Sequence, residues 1–205
     1  MGSTFPEEPA IIAEAARLLA AGRLVVLPTD TVYGLCAAPW DASAVERMYE
    51  AKGRVPGKPI PLLVSSIDAA EDFAELDDAE RKLAASCWPG PLTIVVRVRY
   101  GFESRALAGG RTAGIRMPDH FLARAVIERA GGVLAVTSAN RSMEANSRTV
   151  DEARADLGDM VDLYVDGGQS AGSMASTVVA IEAGRLVIVR EGPLSREELE
   201  TALAG

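Results

Sequence analysis

Apolar residues occur along this chain in two patterns, helical spacing and short continuous runs, and the two patterns alternate. The segment Pro9–Ala21 carries apolar side chains at helical spacing and stops before Gly22, a residue type that commonly follows a helix. The run Arg23–Leu27 comes next and is apolar enough for a buried strand. The same criteria predict helices at 42–51, within 68–87 in two pieces, at 121–130, at 150–157 and after Ser195, and strands at 59–64, 92–98, 114–118, 133–137, 163–165, 176–181 and 186–190.

Strands interleaved with helices, several of them short and fully apolar, indicate an α/β or α+β domain. At 205 residues the chain is long enough to bury a substantial core. It contains no internal repeat, no low-complexity tract and no linker that would divide it. We therefore expect a single domain that covers residues 1–205.

The overall charge and the cysteines narrow the classes of function. A formal net charge of −8 argues against a general surface for nucleic acid, so a bound nucleotide would need a local basic pocket. Cys36 and Cys87 lack metal-ligand spacing, and no apolar run approaches the roughly 20 residues that cross a bilayer. The N-terminus shows no secretory or myristoylation pattern. We expect a cytoplasmic protein with reduced cysteines.

Several familiar catalytic motifs are missing from the sequence. Neither the P-loop pattern nor the G-x-G-x-x-G fingerprint is present. His120 is the only histidine, so a histidine-based metal site or a histidine-dependent triad lacks its parts. An active site in this chain would have to work by positioning and charge stabilisation around an anionic substrate.

One stretch, Arg23–Pro59, combines the features of an anion site. Hydroxyl groups within Thr29–Leu35 follow the first predicted strand, and three cations, Lys52, Arg54 and Lys58, come after the next predicted helix. Arginine binds phosphate or carboxylate bidentately, and lysine acts as a point charge. Each part alone also fits a turn or a solvated basic loop, but the combination favours a binding site.

Polar residues also stand near the ends of later strands. Arg116 lies in predicted extended structure, Thr137–Asn140 leaves a strand with two hydroxyls and an amide, and Ser176 and Arg190 flank a predicted hairpin. Each of these groups alone also fits ordinary structure, such as a cap or a surface strand residue. Asp30, which follows Pro-Thr, either forms a turn or orients a cation or a metal.

Taken together, these stretches resemble the YrdC/Sua5 family, the threonylcarbamoyl-AMP synthases, over nearly the whole chain. The matching motifs, in order, are Pro28-Thr-Asp-Thr-Val-Tyr-Gly-Leu35, Lys52-Gly-Arg54 with Lys58-Pro59, Trp88-Pro-Gly-Pro-Leu-Thr93, Arg116-Met-Pro-Asp-His120, Ser138-Ala-Asn140, Asp166-Gly-Gly168, Ser176-Thr-Val-Val179 and Arg190-Glu-Gly192. Each motif alone is a weak signal, whereas their shared order is a strong one.

The resemblance implies a twisted, mixed and largely parallel sheet flanked by helices, with a concave basic cavity. It also implies that L-threonine, bicarbonate (or CO2) and ATP with Mg²⁺ give threonylcarbamoyl-AMP and pyrophosphate. The product would be handed over to a tRNA threonylcarbamoyl transferase complex, which makes threonylcarbamoyladenosine in tRNA. A direct contact between this protein and tRNA is a further possibility.

The resemblance also assigns roles to particular residues. Lys52, Arg54 and Lys58 would offset charge that develops on the phosphates, and no side chain is an obvious general base. The family pattern gives threonine binding to Thr31, Arg116, Ser138 and Ser176, and ATP binding to Arg54, Lys58, Thr112, Asn140, Arg148 and Arg190.

The sequence departs from the family pattern at several positions. Ala175 replaces a glutamate, and Leu63 stands where some relatives use a histidine to contact threonine. The loop Met143–Thr149, expected to cover the nucleotide, also differs and leaves contacts at Arg148 open. The chain ends at Gly205, so the resemblance is to the short, YrdC-only form.

Two alternative functions stay open at this point. A YrdC-like module could bind RNA through its basic concavity without catalysis, although the acidic net charge makes this interpretation weaker. A carbamoyl transferase of the hydrogenase-maturation type would need acylphosphatase and zinc-finger modules that this sequence lacks.

Overall fold

The computed structural model describes residues 8–54, 57–172 and 174–205. Helices begin where side chains cap the first turn: Asp41 accepts hydrogen bonds from two backbone N–H groups of its helix, and Ser195 forms the predicted capping box with Glu198. The helices are α1 Glu8–Ala20, α2 Ala42–Ala51, α3 Ile67–Glu71, α4 Asp78–Cys87, α5 Phe121–Arg129, α6 Val150–Leu157 and α7 Arg196–Ala204.

All of the described strands belong to one sheet. Its order is β10-β9-β5-β6-β3-β7-β2-β1-β8, and β4 pairs with β5 off this path. The strands are β1 Val25–Leu27, β2 Gly34–Ala37, β3 Leu62–Val64, β4 Ala74–Glu75, β5 Leu92–Val98, β6 Thr112–Arg116, β7 Val133–Ser138, β8 Leu163–Tyr164, β9 Thr177–Glu182 and β10 Arg185–Arg190.

The expected mixed sheet flanked by helices is confirmed. However, more of its strand pairings are antiparallel than parallel, whereas a largely parallel sheet was expected. Among the described strands, β1–β8, β3–β6 and β5–β9 are parallel, and the remaining pairings are antiparallel. One cause is the tight hairpin between β9 and β10, where Ala183 and Gly184 both have positive φ, as a two-residue turn requires. Such hairpins force neighbouring strands to run in opposite directions.

The sheet is covered on both faces, because successive strand residues point to opposite sides. Leu24 and Val26 pack in a core cluster that includes residues of α2 and α4. Val25 and Leu27 pack instead with residues of α1 and α5. The central strands are therefore held between two apolar layers, which fixes the position of side chains at their ends.

The structure adds one central element that the sequence pattern did not predict. β2, Gly34–Ala37, lies between β1 and β7 and is fully buried. This strand is short, does not alternate apolar and polar residues, and directly follows the polar residues of the Thr29–Leu35 motif. For these reasons the hydrophobic pattern did not predict it. The predicted helices and the other predicted strands are present, with shifts of a few residues at their ends.

Candidate active site

A cavity of about 580 Å³ opens above the central strands β2, β3 and β7. Gly34 lines it, and an added Cβ there would come within 2.7 Å of a Val136 methyl carbon, so a larger residue would require Val136 to shift. Most of the residues that the family resemblance assigned to substrate binding line this cavity: Thr31, Lys52, Arg54, Lys58, Arg116, Ser138, Asn140, Ser176 and Arg190.

The cavity is strongly basic although the chain is acidic. Its lining includes Lys52, Arg54, Lys58, Arg116 and Arg190, and within the described part of the chain no carboxylate lines it. The formal net charge of the whole chain is −8, so these cations are concentrated in one place. Such a concave, cationic site attracts and orients anions such as phosphates and carboxylates.

Arg116, at the end of β6, is fixed by hydrogen bonds on three of its nitrogens. Nε donates to the Gly90 carbonyl oxygen over 2.9 Å, Nη1 donates to Thr31 Oγ1 over 2.8 Å, and Nη2 donates to Asp30 Oδ1. The side chain is buried, and burial lowers the pKa of Arg116, which the charge of Asp30 opposes. Since arginine stays protonated in proteins, this is a fixed positive charge at the cavity wall.

The turn Trp88–Pro91 contacts Arg116 and the residue after it through the backbone of Gly90. Gly90 supplies the carbonyl that accepts from Arg116, and its own N–H donates to the Met117 carbonyl over 2.9 Å. A Cβ on Gly90 would lie 2.5 Å from the Cys87 carbonyl oxygen, so the turn requires glycine there. This motif thus supports the site from outside the cavity.

Thr31, which accepts from Arg116, belongs to a small cluster of hydroxyl groups in the cavity lining. Thr29 Oγ1 donates to the Val32 carbonyl over 2.6 Å and lies 3.1 Å from Thr31 Oγ1, and both threonines are buried. A Cβ on Gly172 would lie 2.7 Å from the Thr31 carbonyl oxygen, so the chain passes closely over this cluster. Buried and hydrogen-bonded hydroxyls of this kind are held in one orientation.

A second hydroxyl pair lies at the start of β9. Ser176 Oγ and Thr93 Oγ1 are 2.7 Å apart and buried. Arg190 donates from Nη2 to the Ser176 carbonyl oxygen over 2.8 Å and to Ser176 Oγ over 3.2 Å. Burial lowers the pKa of Arg190. The serine and the arginine that sequence analysis noted separately are therefore in direct contact.

Lys52 occupies the C-terminal cap of α2 and points into the strand-exit segment Ser138–Asn140. Its Nζ donates to the carbonyl oxygens of Ser138 and Asn140, the latter over 2.7 Å. Burial, helped by the positive charge of Arg54, lowers the pKa of Lys52 to about 8. The ammonium group therefore holds this segment in place while it lines the cavity.

The following loop, residues 141–149, is fastened to the same segment. Asn140 Nδ2 donates to the carbonyl oxygens of Arg141 and Glu144, over 3.0 and 2.8 Å. Ser147 Oγ donates to the Ala139 carbonyl oxygen over 2.8 Å. Met143 and Asn146 of this loop line the cavity. The loop expected to cover a nucleotide therefore forms part of the wall.

Tyr33 is a cavity residue to which sequence analysis gave no role, although it stands within the Thr29–Leu35 motif. Its hydroxyl donates to the Gly168 carbonyl oxygen over 2.6 Å and accepts from the Gly167 N–H over 3.0 Å. Burial raises the pKa of Tyr33. This contact fastens the Asp166–Gly168 motif to the cavity, which the order of motifs along the chain does not reveal.

Two of the residues expected to contact the nucleotide do not line the cavity. Thr112 begins β6 and its side chain is exposed. Arg148 donates from Nη2 to the Ser170 carbonyl oxygen over 3.4 Å, and its backbone carbonyl accepts from the Ser170 N–H over 2.8 Å. In this conformation Arg148 joins two loops beside the site.

The described residues contain no group of three or more histidine, cysteine, aspartate or glutamate side chains that could hold a metal ion. They also contain no helix that is long and apolar enough to cross a membrane.

A cationic cavity above the central strands is the arrangement expected of a protein that binds anionic small molecules. The family model described as telomere recombination, Sua5/YciO/YrdC, matches residues 17–192. The chain belongs to this family.

Named relatives support the same family. The chain is 39% identical over 185 residues to a putative threonylcarbamoyl-AMP synthase of Mycobacterium leprae, covering 90% of this chain and 84% of that protein. It is 34% identical to the threonylcarbamoyl-AMP synthase of Bacillus subtilis, covering 94% of this chain but only 56% of that protein. A crystal structure of Pyrococcus abyssi Sua5 complexed with L-threonine has a TM-score of 0.89 and 34% identity, covering 93% of this chain and 56% of that one.

Proposed function

We propose that this protein is an L-threonylcarbamoyladenylate synthase, which makes threonylcarbamoyl-AMP and pyrophosphate from L-threonine, bicarbonate (or CO2) and ATP. The observation that carries the proposal is one basic cavity that contains two different groups of cations. One is the buried guanidinium of Arg116 beside threonine hydroxyls, and the other is the more exposed pair Arg54 and Lys58. The named relatives support the same activity.

The Arg116 site suits the amino acid. An arginine has five N–H donors, and three of those on Arg116 bind protein acceptors. Among the described residues no acceptor meets the other two donors, one on each terminal nitrogen. Such a pair matches the two oxygens of a carboxylate. Thr31, Ser138 and Ser176 line the same cavity and offer hydroxyls to the polar groups of threonine.

The basic segment after α2 suits a triphosphate. Arg54 is half-buried and Lys58 is exposed at the cavity edge, where each can turn toward a ligand. Arg190 adds a third cation and Asn140 an amide on the wall. A triphosphate carries several negative charges, so clustered cations of this kind reduce the cost of bringing it beside a second anion.

The proposed reaction proceeds in two steps. The threonine amine adds to the carbon of bicarbonate and water leaves, which gives a carbamate. A carbamate oxygen then attacks the α-phosphorus of ATP, a new O–P bond forms, and the bond from the α-phosphorus to the bridging oxygen breaks as pyrophosphate departs. Arg54 and Lys58 would offset the negative charge that develops on the departing phosphates.

Mg²⁺ is proposed here as the ion that ATP brings with it. The cavity lining offers hydroxyl and amide oxygens, and no carboxylate among the residues described, so phosphate oxygens would be its principal ligands. When bound, the ion supplies further neutralisation of phosphate charge. We also propose that the product passes to a transferase that modifies tRNA, because a mixed carbamic–phosphoric anhydride is an activated group donor.

The test is release of pyrophosphate from ATP and Mg²⁺, measured with and without L-threonine and with and without bicarbonate. The proposal predicts that release requires both additions. Release that requires neither would indicate a different adenylyl transfer. A folded protein that releases no pyrophosphate under any combination would contradict the proposed activity, and salt-dependent RNA binding by that protein would favour a binding module instead.

A further inference from the structure

Asp30 connects Arg116 to a second part of the backbone. Its Oδ1 accepts a hydrogen bond from Arg116 Nη2 and another, over 3.1 Å, from the backbone N–H of Asp119. The side chains of Arg116 and Asp30 are 6% and 16% exposed, so this ion pair is largely removed from water. Ion pairs in such surroundings are held in one geometry far better than pairs on the surface.

The contacts of Arg116 leave two of its five N–H donors without an acceptor among the described residues. Nε is occupied by the Gly90 carbonyl, so the edge of the guanidinium that contains Nε is closed. Thr31 takes one donor of Nη1 and Asp30 takes one donor of Nη2. The remaining donors lie on the two terminal nitrogens, and bidentate binding through them requires the plane of the guanidinium to be fixed.

We propose that Asp30 is a positioning residue, which fixes the guanidinium plane of Arg116 so that it binds the carboxylate of an α-amino acid through both terminal nitrogens. This inference rests on the proposed function, because it takes the amino acid to be L-threonine. Without Asp30, Nη2 loses its protein acceptor and Arg116 gains rotational freedom. The ligand must then bear the entropic cost of ordering it.

A competing role for Asp30 predicts the opposite result. If Asp30 served only as a counter-ion that keeps Arg116 neutralised in the empty cavity, it would repel the carboxylate of the ligand. Its removal would then strengthen binding, since one negative charge close to another would disappear. The direction of the change in affinity therefore separates positioning from simple charge balance.

The experiment compares Asp30→Ala and Asp30→Asn with the wild-type protein, and Asp119→Asn serves as the matched control. Asp119 is exposed, and its hydrogen bond to Asp30 comes from its backbone N–H, so its substitution removes a nearby charge and keeps the contact between Asp30 and Arg116. The ligands are L-threonine and L-threoninamide, which lacks the carboxylate, and their Kd values are measured by calorimetry. Thermal unfolding checks that each variant is folded.

We expect Asp30→Ala to weaken L-threonine binding by about tenfold or more, the scale of one lost hydrogen bond to a charged group. Asp30→Asn keeps an oxygen acceptor of the same size, so its loss should be smaller. The Kd for L-threoninamide and the KM for ATP should change little in both variants. Asp119→Asn should behave like the wild-type protein toward both ligands.

Two results would overturn the inference. One is unchanged or tighter threonine binding in a folded Asp30→Ala protein, which would indicate a counter-ion. The other is an equal loss of affinity for threonine and threoninamide, which would indicate a general change of the cavity. Failure of the proposed function would look different, because the wild-type protein would then bind no L-threonine at all.

Discussion

Lys52 Nζ donates a 2.7 Å hydrogen bond to the backbone carbonyl oxygen of Asn140, across 88 residues of sequence. The same ammonium group donates to the Ser138 carbonyl oxygen, and the Lys52 carbonyl oxygen accepts from the Ser142 N–H over 3.0 Å. Lys52 thus connects the end of α2 to the segment that carries two proposed ligand-binding side chains. Lys52 therefore fixes the geometry of this segment, and its charge adds to the potential of the cavity.

The ionisation of Lys52 predicts a pH dependence of activity. Burial lowers its pKa from the ordinary 10.5 to about 8. We expect kcat/KM for ATP to fall as pH rises through about 8, because the neutral amine holds the two carbonyls less strongly and adds no charge. Lys52→Arg should lower the overall rate but remove this inflection, since arginine stays charged. The measurement is a pH profile of pyrophosphate release at saturating bicarbonate.

The ionisation of Lys52 should also make the free energy of unfolding depend on pH, but this quantity should rise with pH where the activity falls. Between about 8 and 10.5 the unfolded chain carries a proton on Lys52 that the folded chain has lost. The contribution of this group to the free energy of unfolding therefore rises with pH in that window. Denaturant unfolding of wild-type and Lys52→Arg proteins at pH values in that window would measure it. An identical pH dependence of both rate and stability in the two proteins would contradict the assignment.

Arg54 and Lys58 should matter for turnover and little for folding. Both contribute charge to the cavity, and Lys58 is exposed. We expect Arg54→Ala and Lys58→Ala to lower kcat/KM for ATP by about tenfold or more, the loss of one charge-assisted contact to phosphate. The free energy of unfolding should change by less than about 0.5 kcal/mol.

The matched control for these variants is Arg97→Ala, an exposed arginine on β5 outside the cavity. It loses the same charge from the protein as a whole, so it should leave the KM for ATP unchanged at moderate salt. Normal kinetics in a folded Arg54→Ala protein would remove Arg54 from the proposed phosphate site. A similar loss in Arg97→Ala would indicate a general charge effect.

Much of this site was predictable from the sequence, because its residues cluster in motifs at the ends of strands. The end of a buried strand is where the chain leaves the core, and polar groups such as Thr31, Arg116 and Ser138 occur there. What the sequence could not supply was the partner of each group. Whether Lys52 faces a substrate or a carbonyl depends on contacts across 86 and 88 residues.

The turn Trp88–Pro91 and the residue Asp30 also show that the sequence does not reveal which groups a residue contacts. The prolines and the glycine predicted a sharp turn, which the structure contains, but the sequence did not reveal that the Gly90 carbonyl binds Arg116. Asp30 had two open interpretations, and its contact with Arg116 favours the orientation of a cation. Local patterns identify the residue types that a site needs, and tertiary packing decides which groups meet.

Thr112 and Arg190 were both expected to contact the nucleotide, but we expect only substitution of Arg190 to weaken ATP binding. Thr112 lies four residues before Arg116 on β6, which places it about 13 Å away along the strand. Arg190 lines the cavity and contacts Ser176. We expect Thr112→Val to leave the KM for ATP within about twofold, and Arg190→Ala to raise it by about tenfold. A large effect of Thr112→Val would mean that the ligand extends beyond the cavity or that β6 moves on binding.

The hydroxyl of Tyr33 should stabilise the fold through the Asp166–Gly168 motif. It bridges the Gly168 carbonyl and the Gly167 N–H, and the residue is fully buried. Tyr33→Phe leaves those two backbone groups without this partner, so we expect the free energy of unfolding to fall by about 1–3 kcal/mol. Tyr164→Phe makes the same chemical change, but the Tyr164 hydroxyl donates to the Gly158 carbonyl in an exposed setting. Water replaces that bond, and the loss should be about 0.5 kcal/mol. Denaturant unfolding of both variants measures the difference, and equal losses would show that the buried bridge contributes no more than an exposed hydrogen bond.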